Sequence, residues 1–332
     1  MNNITNLSSI MDPCARAPDA LGSAVALAAS AALLLALGFN WQRRGFRSKS
    51  IPRYTWVVGT LAVMSGASLY YGAYAFAPEA FVAPLLVLCI PASMVLGKLI
   101  NGERVGNEAG MHGFMVTLGS MLMAVSASAC AKNEPVETAK MVPYVVVVSV
   151  TILLCVGVML WAKKLRGDAE HAPGKDYLKV VPLIRFVLPF SAGLMVAASS
   201  VAIRAIALFP NLWALVFLVG CFSLPAMYLV NVALLMFETR STIPVLMATI
   251  IFFAVLGGGL VFNEFDYESG HMTFVGIVGI VITVAGCVML VRDDEYSLIK
   301  EPPHRTDGAS GASDLRFGVD EEQELQDRMP GA

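Results

Sequence analysis

Few side chains in this sequence could bind a cation, and most of them lie next to long apolar stretches. Four glutamates border such stretches and one asparagine lies inside one. Carboxylate and amide oxygens are the ligands that hard cations prefer. The candidate cation ligands are therefore Glu79, Glu238, Asn231, Glu103 and Glu264.

Each candidate also has an architectural interpretation. Glu79 and Glu238 precede apolar stretches, where a carboxylate stabilises the N-terminus of a helix. Glu103 and Glu264 could pair with neighbouring cations such as Lys98. Asn231 has apolar neighbours and could bond a backbone carbonyl of an adjacent helix.

The sequence offers little material for enzyme chemistry. It has only four histidines, and it contains no HExxH motif, no CxxC motif and no spacing typical of a catalytic triad. General acid–base catalysis depends most often on histidine. We therefore expect no enzyme activity and no cofactor.

The apolar stretches define the fold class. The chain has 332 residues, of which 57% are hydrophobic and only 14% are charged. About 20 apolar residues cross a bilayer as a helix. The sequence predicts an all-α polytopic membrane protein with about nine transmembrane helices, at 20–40, 56–77, 82–100, 112–130, 142–162, 182–206, 213–236, 243–262 and 272–291.

The distribution of basic residues predicts the orientation. Of the 23 Lys and Arg residues, 19 fall on one side of the membrane if the chain crosses it nine times. The exceptions are Arg16, Lys132, Lys140 and Arg204. Because cytoplasmic loops carry the excess of Lys and Arg, the N-terminus is expected outside. The net charge of −2 gives no reason to expect a nucleic-acid partner.

The predicted organisation has three parts. Residues 1–19 form a short extracytoplasmic N-terminus, 20–291 form the transmembrane domain and 292–332 form a disordered cytoplasmic tail. Arg185 and Arg204 sit near the ends of the span at 182–206, where their side chains could reach the headgroups. A disulfide between Cys14 and Cys130 is a further option outside the membrane.

An internal repeat divides the transmembrane domain. Each copy has a span, a tight hairpin, a span with a proline near its start (Pro84 or Pro244) and a glutamate 19 or 20 residues later. We assign repeat A to 20–130, a linker helix to 142–162 and repeat B to 182–291. Since the copies are offset by five spans, an odd number, the second is expected to be inverted, as in many secondary transporters.

Several of these residues resemble one known family. The run from Ala73 to Pro78, the following Pro84 and the closing Glu103 are similar to the NIPA magnesium transporters of the drug/metabolite transporter superfamily. The stretch from Phe237 to Phe265, with its Thr-Ile-Pro and Phe-Asn-Glu-Phe segments, resembles the second hairpin of that family. The resemblance covers most of residues 20–291 and implies the fold of that superfamily.

The resemblance implies movement of Mg²⁺, and of other divalent cations, by alternating access. An organic-solute transporter of the same superfamily and a non-transporting membrane scaffold are the alternatives. The implied partners are the lipid bilayer and Mg²⁺, and a homodimer and a sorting adaptor contacting Tyr296–Ile299 are left open. The expected location is the plasma membrane or an endosomal membrane.

Overall fold

The structure is a computed structural model that describes residues 18–47, 52–103, 106–126, 138–171, 176–208, 213–262 and 270–300. Every regular element in these ranges is helical, as predicted. Glu264, the Cys14–Cys130 pair and the tail beyond residue 300 lie outside them. The described residues up to Asp294 belong to one compact unit, and the last helix continues to Lys300.

Nine helical segments in the described ranges match the nine predicted spans, and the third of them is interrupted. The helices are α1 (Pro18–Arg47), α2 (Pro52–Ala73), α3 (Glu79–Leu85), α4 (Cys89–Asn101), α5 (Asn107–Ser126), α6 (Thr138–His171), α7 (Asp176–Leu208), α8 (Trp213–Met236), α9 (Thr239–Phe262) and α10 (Gly270–Lys300). A 3₁₀ turn, Leu86–Leu88, joins α3 to α4.

The helices have the length and the surface of membrane spans. Five described segments are long and apolar enough to cross a bilayer: 20–46, 79–101, 183–206, 216–236 and 239–262. Two shorter apolar segments lie at 142–157 and 274–290. Large apolar side chains such as Leu61, Leu153 and Phe217 point outwards and are well exposed. Such a surface suits lipid rather than water.

Small residues bring α1 and α2 into close contact. Ala24, Ala28 and Ala36 form a fully buried stripe on α1. A Cβ added at Gly38 would lie 2.7 Å from the carbonyl oxygen of Gly59, so the two backbones nearly touch. Close backbone approach through small residues is the usual way in which membrane helices associate.

The helix contacts repeat in the two halves of the chain. Helix α1 packs on α2 and contacts α4, and in the same way α7 packs on α8 and contacts α9. The two third segments, α3–α4 and α9, contact each other between the halves. These pairings correspond to the predicted repeats.

Contacts near the helix ends show that the second copy is inverted. Helix α1 finishes at one end of the bundle, where Arg43 contacts Glu103. Helix α7 starts at that same end, because Arg185 near its beginning bonds Ser241 near the beginning of α9. It finishes at the opposite end, where Arg204 contacts the turn after α2. The first helices of the two repeats therefore run in opposite directions.

Different polar residues meet at the two ends of the bundle. The first end contains Arg43, Glu103 and Thr239, where α1 and α4 finish and α9 begins. The second end contains Glu79 and Arg204, where α2 and α7 finish and α3 begins. The segment Glu79–Asn101 has 23 residues and connects the two ends. At about 1.5 Å per residue it is roughly 34 Å long.

Candidate cation site

Among the candidate ligands that the structure describes, Glu79 is the most deeply buried. It is the first residue of α3, and the residue before it, Pro78, provides no side-chain cap. Its side chain is 0% exposed. The Ser200 hydroxyl oxygen on α7 lies 2.5 Å from Oε1 of Glu79. A carboxylate of repeat A is thus bonded to a hydroxyl of repeat B.

Ser200 has a second acceptor within reach. Its hydroxyl oxygen lies 2.8 Å from the Ala197 carbonyl one turn earlier. A serine hydroxyl has one proton and can donate it to one acceptor at a time. The hydrogen bond to Glu79 can therefore be exchanged for one within α7 when the carboxylate binds something else.

Three tyrosines, two in the last turn of α2 and one just after it, interact electrostatically with this carboxylate. The rings of Tyr70 and Tyr74 lie 4.9 Å apart in an edge-to-face arrangement, and those of Tyr70 and Tyr71 are 5.5 Å apart. The side chains of Tyr70 and Tyr74 are buried, and their hydroxyls lie near each other and near Ser200. Buried hydroxyls normally have a hydrogen-bond partner, and these neighbouring groups are within reach.

A pair of serines joins α7 to α8 beside Glu79. The Ser223 hydroxyl donates to the Ser199 hydroxyl over 3.1 Å, and Ser199 precedes Ser200 on α7. Hydroxyl groups from both repeats therefore converge on one small polar region. The sequence identified Glu79 but not Tyr70 and Tyr71. Their only signal was the position of three tyrosines within five residues before the first hairpin.

A cavity of about 300 Å³ lies between the repeats and borders this region. Tyr70, Tyr71 and Ser223 line it towards the second end, and Gln42 lines it towards the first end. The rest of its wall is largely apolar and comes from α1, α2, α7, α8, α9 and the 3₁₀ turn, including Phe39, Val196 and Met247. Substrate sites of inverted-repeat transporters lie at such an interface.

The cavity has room for a hydrated divalent cation. One water molecule takes up about 30 Å³ in the liquid, so six need roughly 180 Å³. Among the described residues there is no group of three or more His, Cys, Asp or Glu side chains that could hold a metal ion. A cation here would therefore keep most of its water, as Mg²⁺ commonly does in proteins.

Glu103 is also buried, but its carboxylate is already paired. Oε1 of Glu103 lies 2.8 Å from Nε of Arg43, and the two side chains are 1% and 3% exposed. The same carboxylate accepts bonds from the backbone N–H groups of Thr239 and Arg240 at the start of α9. This arrangement supports the architectural interpretation, although the cation is Arg43 on α1 rather than a neighbour such as Lys98.

The local sequence places Glu103 at this position. Gly102 ends α4 with a φ of 67°, a left-handed conformation that glycine adopts without strain. The N–H of Glu103 then bonds the Gly97 carbonyl over 3.1 Å, a common way for a helix to end. The turn directs the side chain of Glu103 back towards α1 and α9.

The other candidates are spread over the bundle. Glu238 lies in the second hairpin, and its Oε2 is 2.6 Å from Nε of Arg240, in a partly exposed ion pair. Asn231 lies in α8, and its buried carbonyl oxygen accepts no hydrogen bond from a described group. Glu79 and Glu103 are at opposite ends of a segment about 34 Å long, so they cannot belong to one site.

The expectation that Arg185 and Arg204 reach the headgroups is wrong. Their side chains are 7% and 5% exposed. Arg185 bonds the Ser241 hydroxyl at 3.0 Å and lies over the ring of Phe237. Arg204 donates to the carbonyl of Tyr74. Both arginines prefer these polar partners inside the bundle to the membrane surface.

The fold and the cavity define a class of protein. Two helical halves whose first helices run in opposite directions, with a cavity between them, form an organisation found in many secondary transporters. The chain belongs to the NIPA magnesium transporter family, because the family model described as "Magnesium transporter NIPA" matches residues 23–296. It is a family of transporters and not of enzymes, and the sequence resemblance is confirmed.

Curated relatives agree with the family model. The chain is 25% identical over 248 residues to proteins of Arabidopsis thaliana named "Probable magnesium transporter NIPA1" and "Probable magnesium transporter NIPA2", covering 71% of this chain and 71% of each relative. It is 20% identical over 275 residues to "Probable magnesium transporter NIPA3", covering 81% of this chain and 72% of the relative. No solved structure matches the chain.

Proposed function

We propose that this protein moves Mg²⁺ across a membrane. The observation that carries the proposal is the family match over residues 23–296. The relatives named as magnesium transporters and the apolar helices that place the chain in a bilayer support it further. Transport of other divalent cations belongs to the same proposal, because a site that binds a hydrated ion discriminates weakly between ions of equal charge.

The ion would enter the cavity with most of its water and approach Glu79. The carboxylate supplies the negative charge, and the ion's water molecules donate hydrogen bonds to it. The hydroxyls of Tyr70 and Ser223 supply further polar partners in the same region. Ser200 keeps the carboxylate satisfied in the absence of the ion, since it lies 2.5 Å from Oε1.

Alternating access is the proposed mechanism. The cavity is lined by both repeats, so rocking one repeat against the other would expose it first at one end and then at the other. The membrane potential would help the ion to enter a negative interior. Each elementary charge gains about 2.3 kcal/mol per 100 mV, so a divalent ion gains roughly twice that amount.

The remaining candidate ligands have weaker support. Glu103 and Glu238 each pair with an arginine, which supports structural roles for both. Asn231 has an unsatisfied buried oxygen and stays a candidate for a position along the path. Glu264 is a candidate on sequence grounds alone.

Orientation, location and partners are proposed on sequence grounds. The basic residues favour an external N-terminus, and the plasma membrane or an endosomal membrane is the proposed location. A homodimer and a contact of a sorting adaptor with Tyr296–Ile299 complete the proposal.

Two helices differ in their bounds from the spans that the sequence predicts. Helix α2 starts and ends earlier than the predicted span 56–77, and α10 continues to Lys300.

An organic solute is the second candidate substrate, and the largely apolar wall of the cavity is what favours it. A nucleotide-sugar would require a cationic group, but Arg185 and Arg204 bond to protein groups and neither lines the cavity. Neither Arg185 nor Arg204 could therefore bind an anionic solute in this cavity. A non-transporting scaffold, the remaining alternative, would have no use for a carboxylate buried beside a cavity.

Two measurements test the proposal. The purified protein in liposomes with a trapped Mg²⁺ indicator should give a signal after external Mg²⁺ is added, and protein-free liposomes should not. Thermal unfolding in detergent should shift upwards with Mg²⁺ and stay unchanged with nucleotide-sugars or amino acids. Folded protein that moves no Mg²⁺ and is stabilised only by an organic solute would contradict the proposal.

A further inference from the structure

Two buried arginines, one in each repeat, reach across to a backbone carbonyl of the other repeat. Arg43 on α1 donates from Nη1 to the carbonyl of Leu234 near the end of α8, over 2.8 Å. Arg204 on α7 donates from Nη1 to the carbonyl of Tyr74, just after α2 ends. Each contact therefore connects the first helix of one repeat to the second helix of the other.

The two contacts occupy equivalent positions. Arg43 lies four residues before the last residue of α1, and Arg204 lies four residues before the last residue of α7. Leu234 lies five residues before the first residue of α9, and Tyr74 lies five residues before the first residue of α3. The same contact is thus made twice, once at each end of the inverted pair.

The cavity lies between these contacts. Gln42, which lines it, is the neighbour of Arg43 at the first end. Tyr70, which also lines it, lies one helical turn before Tyr74 at the second end. The two contacts therefore flank the cavity, one towards each end of the bundle.

We propose that Arg43 and Arg204 are the two gates of the cavity, with Arg43 closing the first end and Arg204 closing the second. The inference rests on the proposed transport by alternating access. Both contacts are present here, so the structure corresponds to a state closed at both ends. Opening one end separates the repeats there and exchanges the carbonyl for water, while the contact at the opposite end holds.

The gate at the first end has an additional carboxylate. Glu103 holds the Arg43 guanidinium through Nε and also bonds the N–H groups that begin α9. Glu103 therefore positions Arg43 against repeat B. An arginine–carbonyl bond supplemented in this way is harder to break than the bond alone.

The test measures the accessibility of one reporter thiol at each end. Thr239→Cys reports on the first end and Ala80→Cys on the second, and both positions are buried. Each reporter is combined with Arg43→Gln or with Arg204→Gln, and labelling by a small water-soluble maleimide is followed by peptide mass spectrometry. Loss of a hydrogen bond from a charged donor shifts a two-state equilibrium by about tenfold or more.

Opposite effects at the two ends are the expected result. Arg43→Gln should raise labelling at residue 239 by about tenfold and lower it at residue 80, and Arg204→Gln should do the reverse. Arg44→Gln is the matched control, because Arg44 adjoins Arg43 but is exposed. Should Arg43→Gln fail to fold because Glu103 is left unpaired, the neutral pair Arg43→Gln with Glu103→Gln replaces it.

Two results would contradict the proposal that Arg43 and Arg204 are gates. Increased labelling at both positions in each variant would mean general loosening, and unchanged labelling would mean that neither arginine restrains the repeats. The labelling needs no transported ion, so the two proposals can fail separately. Opposite effects in a protein that moves no Mg²⁺ would support the gates and contradict the proposed substrate.

Discussion

Two buried glutamates at opposite ends of one membrane segment have different surroundings. Glu103 lies against a guanidinium and two backbone N–H groups, so its charge is compensated by the protein. Glu79 lies against a serine hydroxyl and a cluster of tyrosines beside a cavity. The first environment suits a structural carboxylate, and for the second we propose reversible binding of a cation.

Replacing Glu103 with alanine should destabilise the protein strongly. Removing one partner of a buried ion pair leaves an uncompensated charge and costs about 3–5 kcal/mol. Thermal unfolding in detergent would measure the loss, with Glu108→Ala as the control, since Glu108 is exposed on α5. Equal unfolding temperatures for the two variants would mean that the pair with Arg43 contributes little.

Replacing Ser200 with alanine should lower the concentration of Mg²⁺ for half-maximal flux without unfolding the protein. Ser200 occupies the Glu79 carboxylate when the ion is absent, so its loss removes a competitor of the ion and should lower that concentration by about tenfold. Ser68→Ala is the control, because Ser68 lines the same cavity but its hydroxyl bonds the Met64 carbonyl of its own helix. Identical concentration dependence in both variants would argue against a role for Ser200.

The sequence identified the carboxylates but not their partners. Glu79 was a candidate because placing a charge near the membrane interior costs free energy, so a charge found there usually has a function. Arg43 lies 60 residues before Glu103 in the chain, and Ser200 lies 121 residues after Glu79. Pairings over such separations follow from the packing of the repeats and cannot be derived from local spacing.

At the scale of the helices, repeat A combines one very close helix contact with one interrupted helix. Helix α1 is held against α2 through glycine, and the third segment of repeat A is broken by the 3₁₀ turn at Leu86–Leu88. Pro84 lies just before this turn and removes one backbone donor from the segment. The corresponding helix α9 is continuous, so the two repeats differ at the 3₁₀ turn, whose Leu86 lines the cavity.

Replacing Gly38 with alanine should destabilise the protein despite the better helix propensity of alanine. The new Cβ would lie 2.7 Å from the Gly59 carbonyl, so α1 and α2 would have to separate. Overpacking of this kind costs about 1–3 kcal/mol. Gly72→Ala in α2 meets no atom within 4 Å and should be neutral or slightly stabilising. If both variants unfold at the wild-type temperature, the contact between these helices is not tight.

The helices themselves were well predicted from hydrophobicity, and their ends were not. The span expected at 213–236 matches α8 residue for residue, whereas the one expected at 56–77 ends at Ala73 because residues 74–77 turn towards Pro78. The length of an apolar stretch indicates that a helix crosses the membrane. Where it stops depends on turns and on contacts such as that of Arg204 with Tyr74.

At the scale of the whole molecule, inversion of the repeats gives the two ends of the bundle equivalent contacts. Because α1 and α7 run in opposite directions, each repeat supplies one arginine contact and one wall of the cavity. The odd offset of the repeats in the sequence predicted this inversion. The sequence could not predict the cavity, since its size depends on how closely the two halves pack.

The most direct test of the account is Mg²⁺ flux into liposomes under an imposed membrane potential, compared between the wild type and Glu79→Gln. The glutamine keeps the size of the side chain and removes its charge. The account predicts that wild-type flux increases as the interior is made more negative, because the divalent ion gains about 4.6 kcal/mol per 100 mV. Glu79→Gln should reduce flux by about tenfold or more, while Glu108→Gln should leave it unchanged. Wild-type flux from the Glu79→Gln protein would contradict the claim that Mg²⁺ passes this carboxylate.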